Sequence, residues 1–251
     1  MHWLEWGAEL AGTALLLAVG LSAVCLDFGP GSPMRQLIPG ASMRLLVTGL
    51  AFAGTGSLVA ISPLGRRSGA HLNPAVTFAF WMRGNVHRHD LGGYIAAQLL
   101  GAGLGAALVA LAWGRTARAV AYGSTVPGAG ISPPVAAAIE ALMTALLVGV
   151  IMGMLSSMRT ARWTPLAVWL LVATLVWQGA RFTGTGLNPA RSLWPNLLAG
   201  NLGVYWVYVA GPLAGAASAI GVSHVVPGHQ GPLTAKMFHD PSYPSVFDTV
   251  M

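Results

Sequence analysis

Long apolar stretches alternate with short polar loops along this chain. Six of them, at about 7–27, 41–62, 91–113, 134–155, 163–179 and 202–223, carry almost no charge. A bilayer core of roughly 30 Å is crossed by about 20 helical residues, so the pattern predicts six transmembrane helices. Two shorter apolar pieces, at about 74–82 and 189–199, cannot span: each rises only about 15 Å as a helix. Each opens on Asn-Pro-Ala, in "SGAHLNPAVTF" from Ser68 and in "TGTGLNPARSL" from Thr183. The order is span, span, short piece, span, and then the same again. An odd number of spans per half turns the second half upside down relative to the first, which makes an inverted repeat of 5–113 and 132–223. The expectation is an all-α membrane protein, one domain over 1–251, with two re-entrant half-helices whose N-terminal ends meet near mid-bilayer. Residues 224–251, holding Pro, Gly, His and the acids Asp240 and Asp248, read as a polar tail with room for some ordered part.

Composition supports this reading. Charged residues are 8% and hydrophobic residues 55% of the chain, against about 25% charge in soluble domains. A soluble helical domain would also need a polar face on its outer helices, and none is visible. The net charge of +6 comes from scattered arginines that form no basic helix or tail, which argues against nucleic acid and for lipid headgroups. With the N-terminus inside, Arg66, Arg67, Arg83, Arg88, Arg159, Arg162 and Lys236 fall inside, and Arg35, Arg44, Arg115, Arg118 and Arg181 outside. Seven against five follows the positive-inside rule and puts both termini in the cytoplasm of a cell membrane. Adjacent Arg66 and Arg67 suit anionic headgroups or the rim of an inner vestibule. "MHWLEWGAEL" has Glu5 and Glu9 where a signal peptide carries basic residues, so the first run reads as a retained span. Cys25 is the only cysteine, which excludes an intrachain disulfide. Small residues from 92 to 107 suit close helix contact in lipid.

The tripeptides carry the chemistry. Asn is a preferred N-cap, and Pro fits the first helical position, where its missing donor costs nothing. Asn73 and Asn188 are therefore read as caps, with Pro74 and Pro189 next. Ala75 and Ala190 are small enough for two helix ends to abut. If each Asn oxygen caps its helix, its NH₂ group can face a cavity. Two donors and two positive helix ends would hold the oxygen of a passing water. That water could not readily accept from a neighbour, so a proton wire breaks there and cations meet an unfavourable field. Arg191, in the first turn after Asn188, reads as a pore-side donor, with carbonyls around Gly184 to Gly186 as its compensation. Glu9 and Glu140 cannot face lipid cheaply and read as braces that accept hydrogen bonds from the two loops. His71 reads as a loop brace or pore-lining residue, and His87, His89, His224, His229 and His239 as interfacial or tail residues. No nucleophile, metal cluster or phosphate loop accompanies the carboxylates, so neither enzyme, metal nor cofactor is expected.

These residues resemble the aquaporin, or major intrinsic protein, family over roughly 5–223. The resemblance rests on "AELAGT", "SGAHLNPAVTF", "IEALMTALL", "GTGLNPARSLWP" and "WVYVAGPLAGA". It implies a homotetramer with one pore per subunit and passive flow without a cofactor. Asn73 and Asn188 match the family's central asparagines, Arg191 its filter arginine, and Glu9 and Glu140 its bracing glutamates. The other filter positions fall on Ala53, or on Phe52 after a one-residue shift, and on Val176 and Thr185. Val176 replaces the histidine common in strict water channels, which favours small neutral solutes; Ser192 replaces the Asp common in glycerol-conducting relatives, which favours water. Water is the expected permeant, with glycerol, urea or ammonia as the alternative. A secondary transporter shares inverted repeats but needs an acidic coupling site that the spans lack.

Overall fold

A computed structural model describes residues 1–225, 231–240 and 242–243. Among these residues the chain is helix and loop throughout. The helices are α1 (Trp3–Phe28), α2 (Met34–Leu37), α3 (Ala41–Ile61), α4 (Pro63–Ser68), α5 (Pro74–Met82) and α6 (Arg88–Trp113). They continue with α7 (Arg115–Ala119), α8 (Pro133–Leu155), α9 (Met158–Ala161), α10 (Thr164–Thr183), α11 (Pro189–Leu198) and α12 (Val207–Val225). Six helical stretches are long and apolar enough to cross a membrane, the last counted from Leu202, and they coincide with the six runs read from the sequence. The helices outrun the apolar runs where polar residues have somewhere to go. α1 and α6 begin early, with Glu5 and Asp90 in their first turns, where negative charge suits the helix end. Asp90 also accepts from Trp6 Nε1 at 3.0 Å, and His2 Nδ1 lies 2.9 Å away. α10 continues past the predicted end at 179 because Gln178 and Arg181 lie on its exposed side. The sixth run instead opens on a short 3₁₀ turn at Leu202–Val204 before α12 starts.

Within each half, the first and last long helices pack tightly, α1 on α6 and α8 on α12; α3 meets α10 across the halves. Glycine makes the first two contacts possible. A Cβ at Gly101 would lie 2.2 Å from the Leu10 carbonyl oxygen, and one at Gly215 would lie 2.1 Å from that of Ala141. Overpacking of this kind costs about 1–3 kcal/mol. Gly101→Ala should therefore lower the thermal midpoint of the detergent-solubilised protein by several degrees, and an unchanged midpoint would show that α1 and α6 have slack. The outward faces carry bare leucines, among them Leu100, Leu104, Leu108, Leu111, Leu142 and Leu170, as a surface solvated by lipid requires.

Part of the 224–251 segment packs on the bundle. α12 runs on to Val225, and residues 231–240 lie against the helix bundle, with Thr234, Ala235, Lys236 and Met237 buried. His229 and Asp248 lie outside the described residues.

Candidate functional site

Two loops, 69–73 and 184–188, run into α5 and α11 in closely similar conformations. Gly69 and Gly184 have φ of 95° and 74°; Ala70, Leu72, Thr185 and Leu187 are left-handed as well, at 53°, 49°, 51° and 55°. Non-glycine residues held there cost on the order of 1–3 kcal/mol each, so something must hold them. That support is a buried glutamate from the first long helix of each half. Glu9 accepts from Ser68 Oγ at 2.7 Å, His71 N at 3.0 Å, Leu72 N at 2.7 Å and Gln98 Nε2 at 2.7 Å. Glu140 accepts from Thr183 Oγ1 at 2.6 Å, Gly186 N at 2.8 Å and Leu187 N at 2.7 Å. Both carboxylates are fully buried.

Each loop ends on its asparagine cap. Asn73 Oδ1 accepts from Ala75 N at 2.9 Å; Asn188 Oδ1 accepts from Ala190 N at 3.0 Å and Arg191 N at 3.3 Å. The amide nitrogens cross over. Asn73 Nδ2 donates to the Leu187 carbonyl at 2.9 Å, and Asn188 Nδ2 donates to the Leu72 carbonyl at 2.8 Å. The two helix N-termini thus face each other, each cap tied to the opposite loop. This modifies the simple picture of two free NH₂ groups: one hydrogen of each is spent on the crossing bond, and one remains.

Both asparagines line a cavity of about 500 Å³. Its walls are largely apolar, with Leu16, Leu147, Val168 and Val172 among them; polar groups come from Thr48, Ser57, His71, Thr185 and Arg191. Phe52, Ala53 and Val176 line it too, so the structure brings together all the residues considered for the filter. Arg191 is 9% exposed. Its Nη1 donates to the Gly123 carbonyl at 2.8 Å, and its guanidinium carbon lies 5.2 Å from the centre of the Phe52 ring. The compensating carbonyl thus belongs to Gly123 rather than to Gly184–Gly186. Thr185 Oγ1 donates to the Leu175 carbonyl at 3.3 Å. His71 places Nδ1 3.2 Å from Thr77 Oγ1 and Nε2 2.7 Å from the Ala235 carbonyl. Pro74, Ala75, Pro189 and Ala190 are buried in the first turns behind the caps.

The sequence profile of the Major intrinsic protein family matches residues 2–222. The chain belongs to the major intrinsic protein family. Lens fiber major intrinsic protein of Rattus norvegicus is 37% identical over 190 residues, covering 75% of this chain and 71% of that one. Aquaporin TIP4-2 of Zea mays is 34% identical over 218 residues, covering 84% and 80%. The X-ray structure of the aquaglyceroporin from Plasmodium falciparum superposes with a TM-score of 0.73 at 22% identity, over 90% of this chain and 97% of that one, and shows the shared fold. The protein is accordingly a multi-pass integral membrane channel of the aquaporin family, and not an enzyme.

Some supporting residues of this aquaporin-family site escaped the sequence reading. Tyr94 Oη donates to the Ser68 carbonyl at 2.6 Å, and Tyr208 Oη to the Thr183 carbonyl at 2.7 Å. Ser68 and Thr183 each stand five residues before their asparagine, a repeat that could have flagged both. Gln98 also donates to Thr77 Oγ1 at 2.9 Å and has no such counterpart in the second half, where Pro212 stands four residues after Tyr208.

Proposed function

We propose that the cavity is the middle of a pore that conducts water passively and excludes protons and ions. The observation that carries this is the crossed pair of caps. With Asn73 and Asn188 each tied to the opposite loop, the remaining amide hydrogen of each is fixed in direction and available to the cavity both residues line. Two fixed donors and two positive helix ends orient a water oxygen-first, so it donates outward on both sides and passes no proton. Arg191, Phe52, Val176 and Thr185 form the filter in this reading; Phe52 is preferred to Ala53 because the arginine lies over its ring. The two halves act as an inverted repeat whose short helices re-enter from opposite faces, both termini are cytoplasmic, and the assembly in the cell membrane is a homotetramer with one pore per subunit.

A second reading, a facilitator for glycerol, urea or ammonia, is favoured by one residue. Val176 makes its part of the cavity wall apolar, where a histidine would narrow it and offer a donor. Ser192, buried behind Arg191, favours water. Stopped-flow light scattering on reconstituted vesicles decides between them: water shrinkage should be far faster than in bare lipid, and glycerol and urea entry slow. Val176→His should lower the solute-to-water ratio by about two- to fivefold. An unchanged ratio would remove Val176 from the filter, and rapid glycerol entry in the unmutated protein would favour the second reading.

A further inference from the structure

The mouth of the cavity on the side of α4 is crossed by the C-terminal segment. Leu233 N donates to the Leu155 carbonyl at the end of α8 at 2.9 Å, and Met237 N donates to the Gly69 carbonyl in the first loop at 2.9 Å. Between them the Ala235 carbonyl lies 2.7 Å from His71 Nε2. The contact is closely fitted: a Cβ at Gly69 would sit 2.6 Å from the Ala235 oxygen. Farther out, Arg66 on α4 pairs with Asp240 at 2.8 Å and lies 5.5 Å from the Phe238 ring. Ser242 donates to Asp240 from both its hydroxyl and its amide, and holds the carboxyl below the usual carboxylate range, helped by Arg66 and Lys236; the pair is therefore charged at neutral pH. One of the segment's apolar side chains, Met237, is 6% exposed and lines the cavity itself.

We propose that residues 233–240 form a cover over this mouth, with Met237 as the residue that narrows the passage, and that flow rises when the segment lifts. The inference rests on the pore reading above. Three elements, α4, the first loop and the end of α8, hold the cover, and one of its fastenings is a partly exposed ion pair, a class of contact that contributes little. Methionine suits the position because its unbranched, flexible side chain fills an irregular gap. A polar segment that merely trailed from the last helix would have no reason to bury Thr234 and Met237 or to present a side chain to the cavity.

The test uses the full chain in vesicles, with water permeability normalised to protein content. Met237→Ala removes the narrowing group; Asp240→Asn and Arg66→Gln loosen the fastening without touching the cavity wall. Each should raise unit permeability at least about twofold, since an apolar constriction limits flow steeply. Conduction by the unmutated protein together with unchanged or lower values in all three variants would overturn the cover and leave the pore standing. Vesicles that contain the protein yet pass water no faster than lipid, with and without the substitutions, would overturn the pore reading and the cover with it. Flow that appears only in the variants would support both.

Discussion

Glu140→Ala is expected to leave almost no folded channel. Its carboxylate is the acceptor for Gly186 N, Leu187 N and the Thr183 hydroxyl, and alanine provides none. Each buried donor left unpaired costs about 1–3 kcal/mol, so three amount to roughly 3–9 kcal/mol against a typical total stability of about 5–15 kcal/mol. The loop cannot escape by relaxing, because the crossing bond from Asn73 ends on the Leu187 carbonyl; if Leu187 turns, the opposite cap loses its partner too. Thr185 and Leu187, held in left-handed conformations, would then revert to easier ones. Glu140→Gln should be milder, since one oxygen remains, but its NH₂ group must face a donor. The readouts are the yield of monodisperse protein, its thermal midpoint and its unit water permeability, all falling in the order Gln, then Ala. An alanine variant with the original midpoint and permeability would show that Glu140 is not what holds the loop.

The fold was legible because lipid removes ambiguity: a run of about 20 residues with at most two charges has few other uses, and all six such runs became long helices. The two short helices were legible for a different reason. Asn followed by Pro is a local start signal, set by backbone donors within three residues, and it needs no tertiary information. What the sequence could not supply depends on distant backbone. The partner of Arg191 is the Gly123 carbonyl, 68 positions away, and a carbonyl leaves no mark in a residue alphabet. The choice between Phe52 and Ala53 stayed open because it depends on register through 62–68, where α4 takes up chain between α3 and the loop; only packing against Gly20 and Arg191 gives the Phe52 ring its place. The packing of the C-terminal segment was not legible in its polar composition, because its burial is sustained by backbone bonds to Leu155 and Gly69, which any sequence could make.

The symmetry of the braces also explains where the two halves are free to differ. The parts that hold the caps repeat almost bond for bond, from Ser68 and Thr183 to Tyr94 and Tyr208. The parts that would discriminate between permeants do not: His71 in the first loop is matched by Gly186 in the second, and Val76, three residues after Asn73, by Arg191. Between these two matched positions, only Arg191 carries a positive charge, so in the proposed pore it would add to the cation barrier of the two helix ends from one side of the caps.

Replacing Arg191 by alanine should consequently change selectivity far more than water flow. The guanidinium sits at a helix N-terminus, where positive charge is disfavoured, and it stays because the buried Glu140 carboxylate attracts it and the Gly123 carbonyl and the Phe52 ring face take it up. Alanine removes the charge, empties the space beside Phe52 and leaves the Asn188 cap intact, since that cap uses the backbone amides of Ala190 and Arg191. Water permeability should shift by less than about threefold, while glycerol entry and cation leak should each rise about tenfold or more as the narrow, charged point is lost. Arg191→Lys separates the two causes: it keeps the charge but not the planar fork that spans Gly123 and the ring. If charge excludes cations and shape excludes solutes, lysine restores the first and not the second. Vesicle assays of glycerol entry and of potassium leak on the same preparations read the two independently, and an alanine variant unchanged in both would take Arg191 out of the filter.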